Sequence, residues 1–96
     1  MCTEIFITEH LEIQGKKLDT CYTLRLSNND TIRIEQYDST RYAVLNDSYQ
    51  NSLTNSQDSF HFVGLINDSV VVVEPYKFGA DDCHIHKISG KDNIQL

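Results

Sequence analysis

The chain has 96 residues, 40% hydrophobic and 23% charged, the proportions of an ordinary globular domain rather than of a disordered chain. Its formal net charge is -6, with eight Lys and Arg against fourteen Asp and Glu. That balance excludes a general nucleic-acid or anionic-membrane binder, which needs clustered basic side chains.

The most regular feature is a turn. Asn29-Asp30-Thr31, Asn46-Asp47-Ser48 and Asn67-Asp68-Ser69 each follow a short apolar run. Asn and Asp tolerate left-handed backbone angles and hydrogen-bond their own backbone, so these tripeptides close tight turns. They also match the N-glycosylation pattern. Residues 1 to 6 carry neither the basic nor the apolar region of a secretory signal, so they are read as turn chemistry alone.

In chain order, residues 3 to 13 alternate. Ile5, Ile7, Leu11 and Ile13 share one face and Glu9 interrupts it, which predicts a half-buried strand bulged near Glu9. Gly15-Lys16-Lys17 forms a polar turn. A hairpin follows, with Tyr22, Leu24 and Leu26 on one strand and Ile32 and Ile34 on the next. A three-residue loop at 28 to 30 would pair Leu26 with Ile32 and Leu24 with Ile34, both on the inner face. Arg41 to Leu45 is a fourth strand. Residues 46 to 59 are polar apart from Tyr49 and Leu53, and predict a long surface loop with at most one helical turn. Phe60 to Leu65 and Val70 to Val73 form a second hairpin, ended by Pro75. Its four consecutive valines predict a strand that is covered on both faces or meets a partner. Residues 76 to 82 read as a connection, Cys83 to Ile88 as a seventh strand, and Ile94 to Leu96 as a short terminal one.

Together these elements predict an all-β fold over residues 1 to 96. It is a single small domain of seven to eight antiparallel strands, a meander closing as a small barrel or a two-layer sandwich. Cys2, Cys21 and Cys83 are an odd set, which argues against a disulfide framework and for a reducing, cytoplasmic compartment. No apolar stretch approaches the ~20 residues of a membrane helix.

The densest group of metal-binding residue types is Asp82-Cys83-His84-Ile85-His86. On a strand, Asp82, His84 and His86 would share a face at ~6.6 Å spacing, the weak outline of a metal site. Cys83 and Ile85 would face the core. A catalytic Cys83 would need a base on its own face, and His84 would point away from it. The chain has no glycine-rich phosphate loop, nucleophile elbow or paired zinc-ribbon cysteines. The expectation is therefore a protein without catalytic residues, metal or cofactor.

What remains is negative charge on a small scaffold, which steers association toward basic surfaces. In size, charge and lack of catalytic motifs the chain is similar to small acidic bacterial or phage-encoded antagonists. The expected function is an inhibitor or immunity-type protein that blocks a basic partner such as a nuclease. It would bind neither nucleic acid nor membrane directly. Candidate contact residues are Tyr37, Asp47, Tyr49, Asp58, Tyr76, Asp81 and Asp82, because tyrosines at strand ends often anchor interfaces. The Val70 to Val73 strand adds an edge for β-augmentation or a homodimer seam. The alternatives are a ligand-binding β-barrel lidded by the 46 to 59 loop, or a cupin-like metal protein.

Overall fold

The computed structural model describes residues 6–34 and 40–96. These residues form mostly β structure, in two sheets that do not close into a barrel. The strands are β1 (Thr8–Gln14), β2 (Thr20–Arg25), β3 (Asp30–Ile32), β4 (Arg41–Asn46), β5 (Gln57–Ile66), β6 (Ser69–Ala80), β7 (Ile85–Ser89) and β8 (Asn93–Gln95). A 3-10 turn (Asp47–Tyr49) and one turn of helix, α1 (Gln50–Leu53), lie between β4 and β5.

The five-stranded sheet runs β3-β2-β5-β6-β7 and the three-stranded sheet β4-β1-β8. Strand β8 pairs with β1 in parallel, so the chain is not a simple antiparallel meander. The bulge expected near Glu9 is present as a register shift between Glu9 and His10. Beyond it, Leu11 and Ile13 are fully buried.

The core joins the two sheets. Phe60, Phe62 and Phe78 line it from β5 and β6, and Leu11, Ile13, Tyr42 and Val44 from β1 and β4. Phe60 and Phe78 meet edge to face at 5.6 Å, and the Tyr42 ring leans on Phe62 at 6.3 Å. Aromatic pairs favour such tilted geometry because the ring edge is positive and the face negative. Hydrogen bonds also cross the core. Thr23 Oγ1 donates to the Val44 carbonyl at 2.6 Å, and the Leu18 N–H donates to the Tyr42 hydroxyl at 3.0 Å.

The first hairpin departs from expectation. Its loop is residues 26–29, with Asn29 at φ 58, and Arg25 faces Asp30. Ile32 therefore opposes Thr23, not Leu26. A register shift by an odd number of residues reverses the inward face. Thr23 is 1% exposed, whereas Leu24 lies half-buried on the outer face and Ile34 is outside the strand. The core accepts Thr23 because its hydroxyl is paired, as a buried polar group must be.

The second hairpin is longer than predicted. Asn67 and Asp68 both take positive φ, at 52 and 63, as the tightest two-residue hairpin turn requires. Strand β6 runs through Pro75 to Ala80 instead of ending there. β7 pairs with β6 only from Lys77 onward, so Pro75 lies where one edge of β6 is open, the setting in which a strand tolerates proline. The predicted connection at 76 to 82 is thus largely strand, and the turn before β7 is residues 81–84. The 46 to 59 loop is also shorter, because β5 begins at Gln57 and Leu53 is fully buried.

The cysteines also depart from expectation. Cys83 is disulfide-bonded, so it is not a free core thiol and the odd count does not argue for a reducing compartment. Cys21 is a free cysteine, half-buried, and burial pushes its thiol pKa up despite the opposing Arg33 charge. Among the described residues, no helix is long and apolar enough to cross a membrane.

Candidate functional site: an acidic end built on a helical turn

The segment between β4 and β5 has poor helix formers, yet it folds into a fixed platform. Asn46 caps the 3-10 turn by accepting from the Ser48 N–H at 3.0 Å. Leu53 then inserts into the core, where it is 0% exposed. Tyr49 packs half-buried against the same core.

Asp47 latches this platform to the rest of the fold. Its carboxylate accepts from the N–H groups of Ile7 at 2.8 Å and Ile85 at 2.9 Å. The same carboxylate pairs with His84 Nδ1 at 2.7 Å. Burial opposes ionisation of Asp47. The two backbone donors and the His84 ring outweigh it and hold the carboxyl below its ordinary range. Hydrogen bonds to the charged form stabilise that form.

Asp81 sits beside this latch. Its Oδ1 accepts from the N–H groups of His84 and Cys83, both at 2.8 Å, and these bonds lower its pKa. Its carbonyl accepts from Gln50 Nε2 of α1 at 2.7 Å, and Asp82 is exposed next to it.

On the other flank, Arg25 Nε pairs with Asp58 at 2.7 Å, and its Nη1 donates to Ser52 Oγ at 3.1 Å. Burial raises the Asp58 pKa, but the Ser27 hydroxyl, Arg25 and the Ser59 N–H bring it below the ordinary value. Burial also raises the Tyr49 pKa; the Asp30 charge adds to it and Arg25 opposes it.

Five of the seven contact residues proposed from the sequence thus meet around one turn: Asp47, Tyr49, Asp58, Asp81 and Asp82. Tyr76 does not belong to this cluster. It is 3% exposed, stacks on Phe78 at 5.7 Å, and its hydroxyl donates to the Lys91 carbonyl at 2.6 Å. Tyr37 lies outside the described residues. Sequence reading missed Asp30, Arg25 and the His84–Asp47 pair. Asp30 carried a signal, since it occupies one of the Asn-Asp turns, but pairs made 33 or 37 residues apart carried none.

The strand face expected for Asp82, His84 and His86 does not form. β7 starts at Ile85, so Asp82, Cys83 and His84 lie in a turn and do not share a strand face with His86. His84 is turned to Asp47, and His86 Nε2 lies beside Gly79. Among the described residues, no three His, Cys, Asp or Glu side chains are grouped to hold an ion. An open groove of about 470 Å³ lies elsewhere, between the end of β2, the middle of β5 and β6 and the segment after β7, and includes Leu26, His61, Glu74, Pro75, Lys77 and Lys91.

No family model, curated protein or solved structure matches this chain, so its geometry alone carries the functional reading.

Proposed function

We propose that this is a non-enzymatic acidic binding protein that docks a basic macromolecular partner through the end built on α1. It would act as an inhibitor or immunity-type antagonist of a protein such as a nuclease, whose basic cleft it would occupy in competition with nucleic acid. One observation carries the reading. Asp30, Asp81 and Asp82 are exposed around a half-buried Tyr49 on a platform locked by Asp47 and Leu53. A fixed tyrosine ringed by carboxylates resembles an interface anchor with a charged rim. Rigid presentation favours affinity, because little side-chain freedom is lost on docking. Binding by charge works in either redox compartment, so the Cys83 disulfide does not weigh against it.

The test compares proteins retained by the immobilised chain from a lysate of its own host. The comparison uses wild type and the variant Asp30→Asn, Asp81→Asn, Asp82→Asn. Asn preserves the capping carbonyl at position 81 while removing its charge. The expected result is one or more basic proteins, released by moderate salt and lost from the variant. Retention that is unchanged in the variant, or resistant to salt, would overturn the assignment of this end.

A further inference from the structure

Strand β6 has an open edge. Its neighbour β7 pairs only with residues from Lys77 to Ala80. Residues 69 to 76 have no strand on that side among the described residues. The edge is also apolar. Val70, Val71 and Val73 are 55%, 42% and 54% exposed, whereas Val72 is 4% exposed and belongs to the core. An unpaired edge of this kind is a template for another strand, and proteins usually blunt it with lysine or a short length. Here the blunting is weak, consisting of the bulge opposite Gly64–Leu65 and Pro75.

We propose that the occupant is a second copy of this chain, joined by antiparallel pairing of β6 with β6 across a two-fold axis near Val72. Three features point to self-pairing. The first is length. The open stretch is bounded by the turn at Asn67-Asp68 and by the end of β7 at Ser89, which faces Lys77. A two-fold at Val72 places the tip of each hairpin where β7 of the other copy stops.

The second feature is face. Residues meeting across an antiparallel seam must point to the same side of the sheet. The axis at Val72 sets Val71 of one copy against Val73 of the other, twice, so four exposed valines cover one another; Val71 is the extra residue of the bulge, and the match of faces ends there. A two-fold interface repeats every contact in this way.

The third is charge. The hairpin tip is acidic, with Asp68 in the turn and Asp19 accepting from the Asn67 N–H at 2.6 Å. The groove at the far end of the open edge carries Lys77 and Lys91, with Glu74 as its one carboxylate among the described residues. Antiparallel pairing brings each acidic tip to the lysines of the other copy, whereas parallel pairing would set tip beside tip.

This surface is separate from the acidic end. Asp81 follows the last residue of β6 and Asp68 precedes the first, and a strand of that length spans roughly 40 Å. The dimer would carry its two acidic ends at opposite poles of a continuous ten-stranded sheet, twice the five strands of one copy.

Sedimentation velocity on the purified chain tests the proposal. At ~100 µM the expected species has twice the 11.0 kDa chain mass, and Val73→Lys raises its dissociation constant by about tenfold or more. The melting temperature of a dilute, monomeric Val73→Lys sample should match that of equally dilute wild type. Should Val73→Lys fold poorly, Asp68→Asn, which keeps the turn chemistry, serves in its place and weakens the dimer with reduced salt dependence. Amide hydrogen exchange across residues 69 to 76 should slow as concentration rises. A wild-type chain that stays monomeric at ~100 µM overturns the proposal, as does a dimer indifferent to both substitutions. Either result would leave the lysate comparison at the acidic end intact.

Discussion

Leu53→Ala is the sharpest perturbation of the platform. Leu53 is 0% exposed, and within the stretch from Asp47 to Ser56 it is the buried hydrophobic anchor. Truncation removes three carbons from the core. At ~0.8 kcal/mol per buried methylene, the transfer loss is about 2.4 kcal/mol. The residual cavity raises the total toward 3–4 kcal/mol, within the roughly 2–5 kcal/mol range for such substitutions. For a chain of this size each kcal/mol shifts the melting temperature by about 4–8 °C, so a fall of at least ~10 °C is expected. Urea melts monitored by circular dichroism would measure the free-energy change with an unchanged m-value. The functional consequence follows from position. Leu53 holds α1, which orients Tyr49 and bonds Asp81 through Gln50, so partner retention should fall even where the variant remains folded. A loss of less than about 0.5 kcal/mol, the range of ordinary surface changes, would refute the claim that Leu53 pins the platform.

Four further substitutions test separate parts of the fold. Ile32→Ala should cost roughly 2–4 kcal/mol in urea melts, and Leu24→Ala about 1 kcal/mol or less, because the hairpin register turns Ile32 inward and Leu24 outward. Comparable losses for the two would restore the three-residue loop, in which both face inward. Gly90 has φ +130, and a Cβ there would overlap the Tyr76 ring, so Gly90→Ala should lower stability by about 2 kcal/mol or more. An unchanged melting temperature would contradict this contact. The Asp47 carboxyl has a lowered folded-state pKa. Its contribution is therefore present above the unfolded value of ~4 and is lost as pH falls through the folded value. Asp47→Asn should be less stable than wild type at neutral pH and should lose less on acidification. Parallel stability curves for the two proteins between neutral and acid pH would remove Asp47 from the latch.

Much of the secondary structure was legible because it is local. Alternation in residues 3 to 13 announced β1, which runs from Thr8 to Gln14, and even its bulge, since Glu9 breaks the apolar face where the register shifts; residues 3 to 5 lie outside the described residues. The Asn67-Asp68 turn announced the β5–β6 hairpin because few other residues accept two consecutive positive φ angles. The exposed valines were also visible, as a run too apolar for a strand with one wet face. The register of the first hairpin was not legible. Leu26 lies in the loop, and the inward place goes to Thr23, whose hydroxyl is satisfied by a carbonyl of the other sheet. Strand β6 outran the proline because the penalty for a missing N–H depends on whether a neighbouring strand is there to receive it.

Composition determined that this chain is acidic, with its carboxylates scattered along the sequence. Only tertiary structure decided which of them stand together. Asp47 and His84 are 37 residues apart, and Arg25 and Asp58 are 33 apart. No local pattern records such pairs, because they arise when β5 and β6 bring distant turns to one end of the sheet. The same packing buried Tyr76 and left one edge of the first part of β6 without a strand among the described residues. A side chain's chemistry is written in the sequence, but whether it meets water, a carbonyl or another molecule depends on what the rest of the chain places beside it.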